Sequence, residues 1–323
     1  MSLFVDSLAL QRAPGAYAIE VAPPIVIEGL VNGYVGFVFR GEWGPDNEVT
    51  EPGGTAEFNQ TYFPPGSPHT STGYYALMGR KAMPLRPCRI LKNGVAAVTT
   101  ATAGAGTYTA TAKYKGVLGS SIALTWCAAT DGDAAHRDLE VVLTDPVTGT
   151  TQERIRNIAV VASGSVDVGT SILLASLTFN GTADDLPAGA AATTLLGVTT
   201  AGSDGDPITA TEYTAALALL ALRRDLLVTT IDDCGNSIRN AVNDGLVAHA
   251  GATRSRLVVY QGSNPSETWT NVKTYVNTHS PSVRSDRSLP QGAWVQTLDD
   301  EGNPQTTPWA TYLASAIANT EPQ

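Results

Sequence analysis

At 323 residues, 43% apolar and 15% charged, the chain has material for two or three hydrophobic cores and does not have the composition of a disordered polymer. Its net charge of −10, with no cluster of Lys and Arg, argues against nucleic acid as a partner, because phosphate neutralisation needs gathered basic groups. No apolar run approaches the roughly 20 residues that span a bilayer, so no membrane partner is expected.

In chain order, residues 1–24 read as an extended arm. Met1-Ser2-Leu3-Phe4-Val5-Asp6 lacks a basic segment followed by a long apolar core, and is not expected to be a signal peptide. Pro14, Pro23 and Pro24 discourage a helix through the arm. Between them Tyr17, Ile19 and Val21 alternate, which gives one apolar face at period two. These three are the candidate residues for an intersubunit strand, added to the sheet edge of a neighbouring copy.

Residues 25–95 read as an α/β core segment. A strand is expected over Tyr34–Phe39, a glycine-proline turn over Arg40-Gly41-Glu42-Trp43-Gly44-Pro45, and a short strand at Glu48-Val49-Thr50. Thr55 to Phe58 is expected as a capped turn leading to Tyr62-Phe63. Tyr74, Leu77 and Met78 share one face of a helical spacing. Arg86–Leu91 returns as a strand.

Residues 96–203 change to Thr, Ala, Gly and Val, and read as a small β domain. Strands are expected at Tyr108–Tyr114, Ile122–Trp126, Leu139–Leu143 and Thr150–Ile155. Turns fall at Gly116–Ser120, Asp131-Gly132-Asp133 and Asp145–Gly149. No fixed repeat period recurs.

Residues 204–323 follow an α/β rhythm. Thr209-Ala210-Thr211-Glu212 is a capping box for a helix to about Arg223-Arg224, with Tyr213, Ala216, Leu217 and Leu220 as its stripe. Leu226–Ile231 has the apolar, β-branched character of a strand buried on both faces of a parallel sheet. The loop Asp232-Asp233-Cys234-Gly235-Asn236 precedes a helix over Ser237–Ala250. A strand at Arg256–Tyr260, a helix from Asn264 holding Trp269, Val272, Tyr275 and Val276, a strand at Trp294-Val295 and a helix over Pro308–Ala318 follow.

Chemistry-bearing residues are few. Asp232 and Asp233 stand at the carboxyl end of a strand, where α/β sheets bind ligands, and Ser237 and His249 are near in sequence. A hydrolytic triad needs all three residue types within hydrogen-bond reach, and no serine opens the last helix at Thr307-Pro308-Trp309-Ala310. These groups are therefore expected to be solvated loop carboxylates and a helix-end histidine. His69, His136 and His279 are isolated, so no metal set is expected. Cys88, Cys127 and Cys234 are expected to be buried free thiols. The small-residue run Ala101–Gly106 lacks the strand-to-helix setting of a phosphate cradle. No catalytic residue, cofactor or metal is assigned.

The order Pro14-Gly15-Ala16-Tyr17, Pro23-Pro24, a Gly-rich strand from Gly33 and Arg40-Gly41-Glu42-Trp43-Gly44-Pro45 resembles the entry to the sheath proteins of contractile phage tails. Ala112–Ser120 resembles that family's inserted segment, with Ser120 where an Asn would stand. Met83-Pro84-Leu85-Arg86-Pro87 departs from the family's aromatic-glycine pair. The resemblance implies a multidomain α/β plus β fold. Its parts would be the arm 1–24, the α/β core segment 25–95, an inserted Thr/Gly/Ala-rich β domain 96–203 and a subtilisin-like, non-catalytic α/β domain 204–323. It further implies a structural subunit of a virion's tail, assembled in the host cytoplasm. Copies would polymerise helically around an inner tail tube and contract to drive the tube through a cell envelope. The implied partners are further copies, the tube protein, and baseplate and tail terminator proteins. Family members continue into another domain, whereas this sequence stops at Gln323, so either the sequence is a piece of a longer one or a second chain supplies the C-terminal part. The sheath of a tailocin or other contractile injection system stays open as an alternative. So does, from another class, a hydrolase-like α/β enzyme with a β accessory module.

Overall fold

The computed structural model describes residues 33–66, 85–103, 106–145, 149–159, 164–180, 193–253, 256–262, 267–268, 270–274, 287–298 and 304–318. Tyr17, Ile19 and Val21 of the arm, the helix expected around Tyr74, and most of the helix expected from Asn264 lie outside these residues. All that is described belongs to one compact unit, Asn32–Gln323.

The chain enters through β1 (Tyr34–Phe39), crosses α1 (Thr55–Tyr62) and returns as β2 (Leu85–Arg89), parallel to β1 with Val35 opposite Leu85. Eight strands follow before the parallel sheet resumes. They are β3 (Ala96–Ala103), β4 (Gly106–Lys115), β5 (Ala123–Ala128), β6 (His136–Asp145), β7 (Gly149–Ala159), β8 (Gly164–Val166), β9 (Leu174–Asn180) and β10 (Thr194–Leu195). A single 3-10 turn, Val117–Ser121, joins β4 to β5. The chain then runs through α2 (Ala210–Ala221), β11 (Leu226–Ile231), α3 (Asn236–Thr253), β12 (Leu257–Gln261) and β13 (Ser288–Gln291). It ends in a hairpin, β14 (Trp294–Leu298) with β15 (Pro304–Pro308), and α4 (Trp309–Ala318).

The parallel sheet has the order β2-β1-β11-β12-β13. Crossovers put helices on both of its faces, so its strands read as near-continuous apolar runs. One face packs Val38, Ile231 and Val258 against Tyr213, Leu217 and Leu220 of α2 and Val242 and Leu246 of α3. The other packs Val35, Phe37, Phe39 and Val228 against Phe58 and Tyr62 of α1 and Ala310 and Ala314 of α4. Small residues on α4 let it lie close to the strands. The α2 stripe is buried as its spacing demands, and its capping box is formed: Glu212 Oε2 accepts from the Thr209 amide at 2.8 Å.

The middle strands make two antiparallel sheets, β3-β4-β9-β8 and β10-β5-β6-β7. They share one core, in which Tyr108, Ala110, Leu177 and Phe179 meet Leu124, Trp126, Leu139 and Val141. Tyr108 and Trp126 meet edge to face at 5.5 Å.

Several sequence expectations are corrected. Glu48-Val49-Thr50 is not a strand. Asp46 makes a lone bridge to Arg89, Asn47 turns left-handed at φ 56°, and the Thr50 amide donates to the carbonyl of Pro87. A proline opposite offers no N–H in return, so a reciprocal ladder cannot form. Thr55–Phe58 is the opening of a full helix, with Glu57 reaching back to the Gly53 amide at 2.7 Å. Residues 96–103, assigned no strand from the sequence, form β3, and β8, β9 and β10 likewise lie where no strand is expected. Trp294-Val295 belongs to the hairpin, and β13 is the fifth parallel strand.

Candidate functional site

Two places could concentrate chemistry: the carboxyl end of the parallel sheet, and the junction between that sheet and the sandwich. At the first, β11 delivers Asp232 and Asp233. Asp232 is 6% exposed and accepts from the Asp233 amide at 2.8 Å, while its own amide donates to the Val38 carbonyl at 2.9 Å. Asp233 accepts from Arg239 at 2.9 Å and from the Gly235 amide at 3.2 Å, and its carbonyl accepts from Arg40 at 3.0 Å. Asp232 is buried and Asp233 half-buried, so the pair is not freely solvated as expected. The loop folds onto itself and onto two guanidiniums, Arg239 through the Asp233 carboxylate and Arg40 through the Asp233 carbonyl, because a loop at a buried strand end must satisfy its polar groups internally.

Ser237 is exposed on the first turn of α3. His249 is twelve residues farther along the same helix, about 18 Å along its axis at 1.5 Å per residue. It is buried, and its Nε2 lies 3.2 Å from Arg256 Nη1. Burial, reinforced by that guanidinium, pulls its pKa down to about 4 and keeps the ring neutral. Arg256 meanwhile donates to the Leu220 carbonyl at 2.8 Å at the end of α2. Asp232, His249 and Ser237 are therefore not brought together, and His249 is a packing element rather than a base.

A cleft of about 350 Å³ opens beside Arg40, Glu42, Asp204, Asp206 and Ile208, and no Ser, Cys or His lines it. Among the described residues no group of three or more His, Cys, Asp or Glu is placed to hold a metal ion. Cys88 and Cys234 are buried, and burial raises both thiols to about 12, which leaves them unreactive. Cys127 is only half-buried, a departure from expectation. His136 pairs with Asp131 at 2.6 Å in the loop that enters β6. Ala101–Gly106 runs from β3 into β4 rather than from a strand into a helix. His69, His279 and Trp269 lie outside the described residues.

The junction was not visible in the sequence. Arg89, at the end of β2, is fully buried and donates to four carbonyls: Gly41 at 2.7 Å, Gly44 at 2.7 Å, Lys115 at 3.0 Å and Glu42 at 3.4 Å. Burial works against its charge, and Asp46, Asp204 and Glu42 nearby offset part of that cost. The turn Arg40–Pro45 is thus wrapped around one guanidinium. Gly44 sits at φ 102°, and a Cβ there would meet the Tyr62 ring at 2.3 Å, so only glycine fits. Trp43, held out by this turn, enters the sandwich core and meets Tyr114 edge to face at 5.3 Å. A basic residue beside Cys88 and Ile90 in an apolar strand was the only available signal.

No known family's sequence pattern matches the chain, and no curated protein does. Solved structures do. A sheath tail protein from Listeria innocua is similar over 90% of this chain and 57% of its own, at 17% identity and a TM-score of 0.56. A sheath tail protein from Desulfitobacterium hafniense is similar over 95% of this chain and 62% of its own, at 19% identity and a TM-score of 0.58. The chain therefore spans about three-fifths of the length of these neighbours. The parallel sheet, its helices and the paired antiparallel sheets are thus arranged as in part of the fold of these two sheath tail proteins.

Proposed function

We propose that the chain is a structural subunit of a tail sheath, acting in a virion's tail as one of many copies. The observation that carries this reading is the likeness to two sheath tail proteins over at least nine-tenths of this chain. The separation of Asp232, Ser237 and His249 removes the main support for the hydrolase alternative. In the full form of the reading, copies polymerise helically around an inner tube and contraction drives the tube forward. Energy is held in one lattice and released as interfaces repack into another. Tyr17, Ile19 and Val21 would supply a strand to a neighbour, whose main-chain hydrogen bonds hold while linkers swing. Residues 96–203 would form an inserted domain on the sheath exterior. The tube, baseplate and terminator proteins complete the partner set.

The test is electron microscopy and sedimentation of the purified chain, alone and co-expressed with the tube protein. Rings or tubes are expected. A monomer that stays monomeric at high concentration in both settings, or that turns over ester or peptide substrates, would overturn the reading.

A further inference from the structure

The two sheets of the sandwich turn unlike faces outward. On β5-β6-β7 the outer face carries charge: Arg154, which covers the buried Asp138 at 2.8 Å, and Arg156 are exposed, and Glu140 is bonded to Gln152. On β3-β4-β9-β8 the inward positions Tyr108, Ala110, Leu177 and Phe179 fill the core, so the alternate positions face out. There the register lines up Thr100, Thr109, Thr178 and Ser165 in one row across all four strands. The flanking rows, Val98 to Ser176 and Thr102 to Asn180, continue it. None of the residues in these three rows is charged. Thr100 and Thr109 already share a hydroxyl hydrogen bond at 2.9 Å.

We propose that this hydroxyl face is a contact between neighbouring copies of the chain, an inference that rests on the sheath reading. Two properties select a second copy as the occupant. A hydroxyl both donates and accepts, so a surface of hydroxyls complements itself, whereas carboxylate or ammonium surfaces require a partner of opposite sign. The chain also carries a net charge of −10, so most approaches between copies are repulsive. An uncharged face is where two copies meet without that cost. Four strands about 4.8 Å apart and three rows about 7 Å apart span roughly 300 Å² per copy, against the roughly 800 Å² per partner of a stable complex. The contact is therefore too small to hold a dimer alone and acts where many copies are tethered in one lattice.

Thr100 and Thr178 are both exposed, so they accept charge without disturbing the core. Two double variants are compared with the wild type by pelleting of the polymer: Thr100→Lys with Thr178→Lys, and Thr100→Glu with Thr178→Glu. Each places like charges on both copies, and each is expected to raise the concentration needed for polymer by about tenfold or more. An equimolar mixture of the two is expected to recover wild-type assembly. Wild-type polymer with unchanged variants overturns this contact alone. So do opposite effects of Lys and Glu, which would track net charge, and a mixture without recovery. A wild type that never polymerises overturns the sheath reading and this contact with it. If the charged variants do not fold, Thr178→Cys in a Cys127→Ser background gives an independent reading. A short bis-maleimide should link copies within the polymer, and absence of that product overturns the contact.

Discussion

Arg89 donates from Nε to the carbonyl of Gly41 at 2.7 Å, joining the end of β2 to the turn that leaves β1. The same guanidinium reaches Lys115 at the end of β4, so one side chain ties the parallel sheet to the sandwich. Five fixed donors in a planar fork suit this task, and an ammonium cannot copy it.

Arg89→Lys and Arg89→Met should each destabilise the protein by about 3 kcal/mol or more, because several buried carbonyls lose a charged donor. Urea denaturation of the purified chain is the measurement. A loss under about 1 kcal/mol would show that water replaces the guanidinium at little cost.

Trp43 leads to a second expectation. Its ring is part of the sandwich core although its residue precedes α1. Removing residues 100–200 should therefore leave an insoluble α/β remnant unless Trp43 is replaced by a polar residue in the same variant. Trp43→Ala in the full chain should cost about 3–5 kcal/mol, the range for emptying a large core site. Equal solubility of the deletion with and without the Trp43 change would contradict this.

His249 gives a pH dependence with a definite sign. Its folded pKa, about 4, lies below the ordinary value near 6.5, so the unfolded chain takes up the proton first. Its contribution is fully present above about pH 6.5 and is lost as pH falls towards 4, on the order of 2–3 kcal/mol in all. The melting temperature of the wild type should drop through this window, while that of His249→Gln should change less. Parallel curves for the two proteins would place the titration elsewhere.

Asp138 acts in a lower window. Burial pushes its carboxyl up, but hydrogen bonds from Thr130, the Asn157 amide and Arg154 outweigh burial and hold it below the usual range. Its contribution is therefore present above about pH 4 and lost as pH falls through the folded value. Asp138→Asn should cost about 2–4 kcal/mol at neutral pH. The gap to wild type should narrow below pH 4 in acid titrations followed by circular dichroism. A constant gap down to pH 2 would argue against an ionised Asp138.

What could be read from the sequence followed from local periodicity. Tyr213, Ala216, Leu217 and Leu220 announced their face by spacing, and Leu226–Ile231 announced a doubly buried strand by its β-branched run. The Thr- and Ala-rich stretches of β3 and β9 hid their strands, because threonine outside and alanine inside give a weak contrast at period two. The state of Asp232 and Asp233 was misread for another reason. Asp232 is covered only by the fold, and Arg40, which reaches the Asp233 carbonyl, lies 193 positions away in the chain. Arg89 likewise finds its carbonyls 26 to 48 positions away.

The order of the parallel sheet also dictates how the chain must be made. Asp145 meets Gly149 almost as soon as both leave the ribosome, but Tyr34 waits for Leu226. Pairings this distant close late, since loop entropy is lost before any contact repays it. During synthesis β1 can find β2, yet its other side stays an open, apolar edge until the whole sandwich has been threaded out. The strand made first among the described elements is thus the one exposed longest, and the nascent chain has to be guarded there against joining the wrong copy.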